Sequence, residues 1–167
     1  MDRQHPISVI GIAGWKNSGK TTLVERLIAE FAKRGLRVSS IKHTHHDIEG
    51  EAPSSDSARH RRAGAREVIL ADGGQSEHRL DDIVSRLAPC DLVIVEGFKS
   101  APIAKIEVRR AAQLERRELA PMDANFIAVA SDYATDPGSL PLFALNDVPA
   151  IADFITRKLG LATGKPN

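Results

Sequence analysis

Residues Gly14-Trp15-Lys16-Asn17-Ser18-Gly19-Lys20-Thr21 place two glycines, a lysine and a hydroxyl at the spacing G-x-x-x-x-G-K-[ST]. That set suits a polyphosphate. Glycine lets the backbone turn sharply and approach phosphate oxygens closely. Successive backbone N–H groups, with Ser18 and Gly19 among them, then point into one concavity that holds an anion. A helix starting at this point adds the positive end of its dipole. Lys20 offers a mobile cation to the β and γ phosphates, and Thr21 offers its hydroxyl to Mg²⁺, with Thr22 beside it. The expected ligand is a Mg²⁺-bound purine nucleoside triphosphate. Trp15, Lys16 and Asn17 fill variable positions of the loop. Some dimeric P-loop ATPases carry an extra lysine at the second motif position, but here that position is Trp15. Lys16 is therefore read as a solvent-facing or auxiliary cation.

A second acidic signal follows an apolar run. Asp91-Leu-Val-Ile-Val-Glu96 puts a carboxylate at the C-terminal tip of a buried strand, where open α/β sheets bind their ligands. Glu96 is the candidate acid for Mg²⁺, directly or through water. A turn-capping carboxylate is the alternative. Asp91 lies at the other end of the strand and is not assigned to metal. The segment Ile41-Lys42-His43-Thr44-His45-His46-Asp47 also follows a strand. His43, His45 and His46 with Asp47 could make a zinc or nickel site. The reading preferred is a polar loop at the active edge, with Asp47 positioning metal or water. Arg59, Arg61, Arg62 and Arg66 form a basic patch, either a solvated helix face or a site for a phosphate-bearing substrate or partner.

These groups need a scaffold, and the hydrophobic patterning supplies one. Strands are expected at 7–13, 37–42, 67–71, 91–96, 103–108 and 126–130. Helices are expected from 21 to about 34, over 56–65, over 80–87 and after Asp147, which caps the last one with Pro149 in its first turn. Residues 43–55 and the Gly73-Gly74 region read as loops. Alternating strands and helices imply an α/β three-layer P-loop NTPase-type fold with a mainly parallel sheet. With 167 residues and no composition break, one domain over 1–167 is expected, with 1–6 and 162–167 flexible. The net charge of +1 gives no global field for nucleic acid or an anionic membrane. No apolar run approaches the ~20 residues of a membrane span. The single cysteine, Cys90, and the absence of a signal-peptide pattern lead to the expectation of a cytoplasmic protein.

Taken together, Gly-Trp-Lys-Asn-Ser-Gly-Lys-Thr-Thr-Leu, Ile-Lys-His-Thr-His-His-Asp, Asp56-Ser57…Arg59…Ala63-Gly64-Ala65, Val-Glu-Gly-Phe-Lys and Ile-Ala-Val-Ala-Ser-Asp resemble the molybdopterin-guanine dinucleotide biosynthesis adapter (MobB) family. The resemblance runs from about Ile7 to the last helix. It implies a GTP-binding protein with weak GTPase activity and a homodimer related to the signal-recognition and MinD group of P-loop proteins. It also implies partnership with the guanylyltransferase that attaches GMP to molybdopterin, and it leaves molybdopterin itself as a further ligand. No Asn-Lys-x-Asp guanine signature is present. Asp132, at the end of a late strand, is the first candidate for reading guanine N1 and N2, ahead of Asn146-Asp147. Lys20, Glu96 and Asp47 are the residues expected to carry hydrolysis, with no arginine finger or catalytic glutamine evident. Two other functions share these motifs. One is a small-molecule kinase with an arginine lid over 59–66. The other is a metallochaperone GTPase using His43, His45 and His46. Trp15, Phe98 and the 103–108 strand are candidates for exposed apolar contact between subunits.

Overall fold

The structure, a computed structural model, describes residues 6–44, 55–72 and 80–162. Its strands are β1 (Ser8–Ala13), β2 (Val38–Thr44), β3 (Val68–Asp72), β4 (Leu92–Glu96), β5 (Lys105–Arg109), β6 (Phe126–Ser131) and β7 (Leu142–Ala144). They form one sheet in the order β3-β2-β4-β1-β5-β6-β7, and each neighbouring pair is parallel. Around it lie α1 (Lys20–Lys33), α2 (Asp56–Ala63), α3 (Leu80–Arg86) and α4 (Val148–Leu159).

A parallel sheet needs cover on both faces, and β4 shows how the sequence meets that need. Leu92 and Ile94 enter one core with Leu23, Leu27 and Phe31 of α1 and Ile151 and Ile155 of α4. Val93 and Val95 enter the other with Ile41, Leu80 and Phe98. This is a three-layer P-loop NTPase fold. Parallel strands deliver their C-terminal ends to one edge. The C-terminal ends of β1, β2, β4 and β6 therefore share one edge of the sheet, although they are remote in sequence.

Three expectations change. β2 continues through His43 and Thr44, because both pair with β3 at Ala71 and Asp72. The segment predicted as an exposed apolar strand at 103–108 is instead interior, between β1 and β6, with all of Lys105–Arg109 buried. Its alternating charges are internally matched. Lys105 Nζ donates to the carbonyls of Lys99 (2.7 Å) and Ala101 (2.9 Å) and pairs with Asp123. Arg109 pairs with Glu107 at 2.9 Å. Phe98 is likewise fully buried and offers no exposed contact. The short strand β7 was not foreseen, since three residues at a sheet edge carry too little periodicity.

Candidate functional site

The loop between β1 and α1 takes its shape from close packing. A Cβ at Gly14 would stand 2.5 Å from Ser18 Oγ and 2.8 Å from the Val108 carbonyl oxygen. Asn17 and Gly19 adopt left-handed backbone, with φ of 62° and 89°. Gly19 also gives α1 no side-chain cap, so the first-turn N–H groups face outward without a side-chain acceptor. Lys20 folds back and donates to the carbonyls of Gly14 (2.9 Å) and Trp15 (3.0 Å). Ser18 Oγ is buried with no hydrogen-bond partner among the described residues. Lys16 and Asn17 are exposed at the rim. Lys99 Nζ lies over the Trp15 ring at 4.1 Å and the Arg117 guanidinium at 5.3 Å, and the indole N–H donates to the Arg117 carbonyl at 2.6 Å.

Glu96 stands at the tip of β4 next to this loop, as predicted, while Asp91 at the other end pairs with Arg37 at 2.9 Å. Thr21 Oγ1 donates to Glu96 Oε1 at 2.6 Å, and Lys42 Nζ lies 3.0 Å from the same oxygen while also pairing with Asp56. The other oxygen, Oε2, meets His60 Nε2 at 2.9 Å. Burial opposes ionisation of Glu96, but the His60 hydrogen bond, the Lys42 charge and the Thr21 hydroxyl outweigh it and bring its pKa down to about 2. Burial lowers Lys20 below its ordinary value, against the pull of Glu96 and with the help of Lys42 and Lys99. Lys42 is raised, because Glu96 and Asp56 overcome its own burial.

A cavity of about 710 Å³ opens over the loop. Its lining includes the cations Lys16, Lys20, Lys42, Arg59, Lys99 and Arg110 against the carboxylates Asp56 and Glu96, a balance suited to a polyanion. A second cavity of about 680 Å³ adjoins it and shares Gly19, Thr22 and Arg110. Apolar Leu23, Phe143 and Leu145 and polar Asp132 and Asn146 line this second space. Asp132 Oδ1 accepts from the Ala111 N–H at 2.7 Å, and Arg110 Nε lies 3.9 Å from Oδ2. Asp147 caps α4 through the Ala150 N–H, as its capping role predicted, and does not line the cavity.

The sequence reading brought the loop, Thr21, Thr22, Glu96 and Asp132 to one edge of the sheet, and the structure gathers them there. His43 lines the cavity over the β1–α1 loop and packs on Phe98, ring centroids 4.6 Å apart. His45, His46 and Asp47 lie outside the described residues. The arginine patch divides: Arg59 lines the cavity, held by Glu25 (2.6 Å) and Thr22 (3.2 Å), while Arg61, Arg62 and Arg66 are exposed. Lys42, His60 and Arg110 were not singled out from sequence. The spacing of Asp56 and His60, four apart on α2, was the available signal, since it puts both on one helix face.

A family profile described as molybdopterin guanine dinucleotide synthesis protein B matches residues 9–132. The chain is 38% identical over 161 residues to the molybdopterin-guanine dinucleotide biosynthesis adapter protein of Escherichia coli (strain K12), covering 89% of this chain and 91% of that one. Among solved structures, the MobB protein homolog from Bacillus stearothermophilus superposes with a TM-score of 0.60 at 27% identity, covering 91% of this chain and 97% of the other. HypB from Helicobacter pylori, solved in complex with nickel, superposes at 0.61 over 96% of this chain and 92% of its own, but at 15% identity it shares the fold alone. With the profile spanning the loop, Glu96 and Asp132, and with the curated relative matched along most of its length, the chain belongs to the molybdopterin-guanine dinucleotide biosynthesis adapter (MobB) family.

Proposed function

We propose that this protein binds GTP with Mg²⁺ across the two joined cavities and serves as a GTP-binding adapter in the synthesis of molybdopterin guanine dinucleotide. One observation carries the reading. The two cavities share Gly19, Thr22 and Arg110, so a single ligand runs from Lys20 at its phosphate end to Asp132 at its base end. The name of the Escherichia coli relative supplies the adapter role.

Gly14, Ser18, Gly19 and Lys20 hold the phosphates, and Lys20 exchanges its two carbonyl partners for phosphate oxygens. Thr21 and Glu96 fit a hard divalent cation, since a hydroxyl and a carboxylate oxygen stand 2.6 Å apart at the cavity wall. Bound there, Mg²⁺ would neutralise charge on the β and γ phosphates. Asp132 presents Oδ2 to the guanine N1 and N2 donors while Oδ1 stays tied to Ala111. Hydrolysis is slow in this reading. The arginines of the cavity over the loop, Arg59 and Arg110, already face Glu25 and Asp132, and no glutamine is among the lining residues described. Without such a group the transition-state charge lacks its usual stabiliser. The protein works as a cytoplasmic homodimer beside the guanylyltransferase that joins GMP to molybdopterin.

Reconstitution tests this. Purified guanylyltransferase, molybdopterin and Mg·GTP should yield more guanine dinucleotide when this protein is added, and Lys20→Ala should remove the gain. Equal yield with and without the wild-type protein would defeat the adapter role.

A further inference from the structure

α2 is an unusually polar helix for one that enters the core. Among its eight residues only Ser57 and His60 are buried, and His60 is completely so. The helix is fixed at both ends. Ser55 Oγ accepts from the Ala58 N–H at its start, and Gly64 ends it with a φ of 115°. His60 therefore reaches the sheet from a firm base. An aliphatic side chain would fill that space without any polar atom to satisfy. A buried imidazole is costly unless both nitrogens find partners. Here both do: Nδ1 lies 2.9 Å from Ser40 Oγ on β2, and Nε2 lies 2.9 Å from Glu96 Oε2 on β4.

The direction of the Glu96 bond follows from chemistry. An ionised carboxylate only accepts, so Nε2 carries the proton and donates. The carboxylate's terminal torsion is intrinsically broad and two-fold. His60 removes that freedom from behind. With Oε2 held by imidazole, Oε1 is the oxygen that faces Thr21 and Lys42. From the same face of α2, four residues before His60, Asp56 steadies the Lys42 ammonium. Helix α2 thus controls both flanks of Glu96, and neither contact comes from the phosphate loop.

We infer that His60 is a positioning residue for the cation site: it fixes the rotation of Glu96 so that Oε1, beside the Thr21 hydroxyl, is presented to Mg²⁺. This rests on the nucleotide reading above. Groups that orient metal ligands in this way typically change metal affinity or activity by about 10–100-fold when removed.

Two amides separate positioning from mere filling. Glutamine places its amide nitrogen near the former Nε2 and can still donate to Glu96. Asparagine reaches only about as far as Nδ1 and can serve Ser40 but not Glu96. GTP binding would be titrated calorimetrically over a series of Mg²⁺ concentrations for wild type, His60→Gln and His60→Asn. Thermal unfolding of each protein checks that it is folded, and GDP binding without Mg²⁺ checks that the loop is intact. The expected result is that His60→Asn raises the half-saturating Mg²⁺ concentration roughly tenfold or more. His60→Gln should recover most of that loss, and Mg²⁺-free GDP binding should stay unchanged in both. Equal Mg²⁺ dependence in the two variants, whether shifted or not, would overturn the positioning role. Wild-type protein with no Mg²⁺-dependent GTP binding would instead remove the nucleotide reading itself.

Discussion

Thr21 Oγ1 and Glu96 Oε1 are 2.6 Å apart although 75 residues separate them in the chain. Neighbouring parallel strands β1 and β4 bring them together, with Ile12 in register with Glu96. If the pair is a cation site, Thr21→Val should raise the Mg²⁺ concentration needed for half-maximal GTP binding by tenfold or more, which corresponds to about 1.4 kcal/mol. Unchanged Mg²⁺ dependence in a folded variant would mean that Thr21 serves only as a hydrogen-bond donor to Glu96.

Lys20 at present spends its hydrogen bonds on the carbonyls of Gly14 and Trp15. Lys20→Ala leaves those part-buried carbonyls, on residues that line the cavity, to the water it holds, so stability should change little. Triphosphate affinity should fall by about 1.5–3 kcal/mol, the scale of a charge-assisted hydrogen bond. Wild-type affinity in Lys20→Ala would refute the phosphate-loop assignment.

The depressed pKa of Glu96 has a pH signature. Its folded value of about 2 lies below the ordinary 4.5. A group with a lowered folded pKa contributes stability that is complete above the unfolded pKa and is lost as pH falls through the folded one. The shift corresponds to about 3 kcal/mol as an order of magnitude. In urea unfolding, the stability gap between wild type and Glu96→Gln should be flat from pH 7 to about 5 and should shrink between roughly pH 4.5 and 2. A gap independent of pH over that lower range would show that Glu96 is not held ionised by His60, Lys42 and Thr21.

Much of this arrangement is legible in the chain because its signals are local. The phosphate loop is eight consecutive residues, and Leu-Val-Ile-Val-Glu carries its own burial pattern and its acidic tip. His60 was not legible in that way. A histidine on a helix with three arginines reads as surface, and only the packing of α2 beside β2 and β4 turns it inward. Lys105, Glu107 and Arg109 misled for the opposite reason. Their alternation imitates a half-exposed strand, while Asp123, the Leu119 and Ala120 N–H groups and the Glu107–Arg109 pair satisfy them inside the sheet.

Gly97 follows Glu96 with a φ of 91°, and a Cβ there would lie 2.9 Å from the Cβ of His43. Gly97→Ala meets both left-handed strain and a backbone-anchored clash. A loss of roughly 1–3 kcal/mol is expected, read as a lower urea midpoint. Nucleotide affinity should fall too, since relief of the clash moves β2 or the tip of β4. A variant as stable as wild type would contradict the tight approach of these two strands.

Asp132 makes the base-end claim testable atom by atom. Asp132→Asn keeps the size and replaces an acceptor with a donor beside the guanine N1 and N2 positions. GTP affinity should drop by about 1–3 kcal/mol, the cost of a polar group left unmatched against the bound base, while XTP, with a carbonyl in place of the 2-amino group, should gain. A variant that keeps full GTP affinity would move base reading to another cavity residue, with Asn146 next in line.

The most direct test of the whole account is a calorimetric titration of the wild-type protein with GTP and with ATP, each with Mg²⁺. Tight GTP binding with much weaker ATP binding is the predicted result, because in the proposed reading Asp132 accepts from guanine N1 and N2 and would find no matching donors at those positions on adenine. Equal affinities, or a preference for ATP, would contradict the guanine-reading site and with it the GTP-dependent adapter.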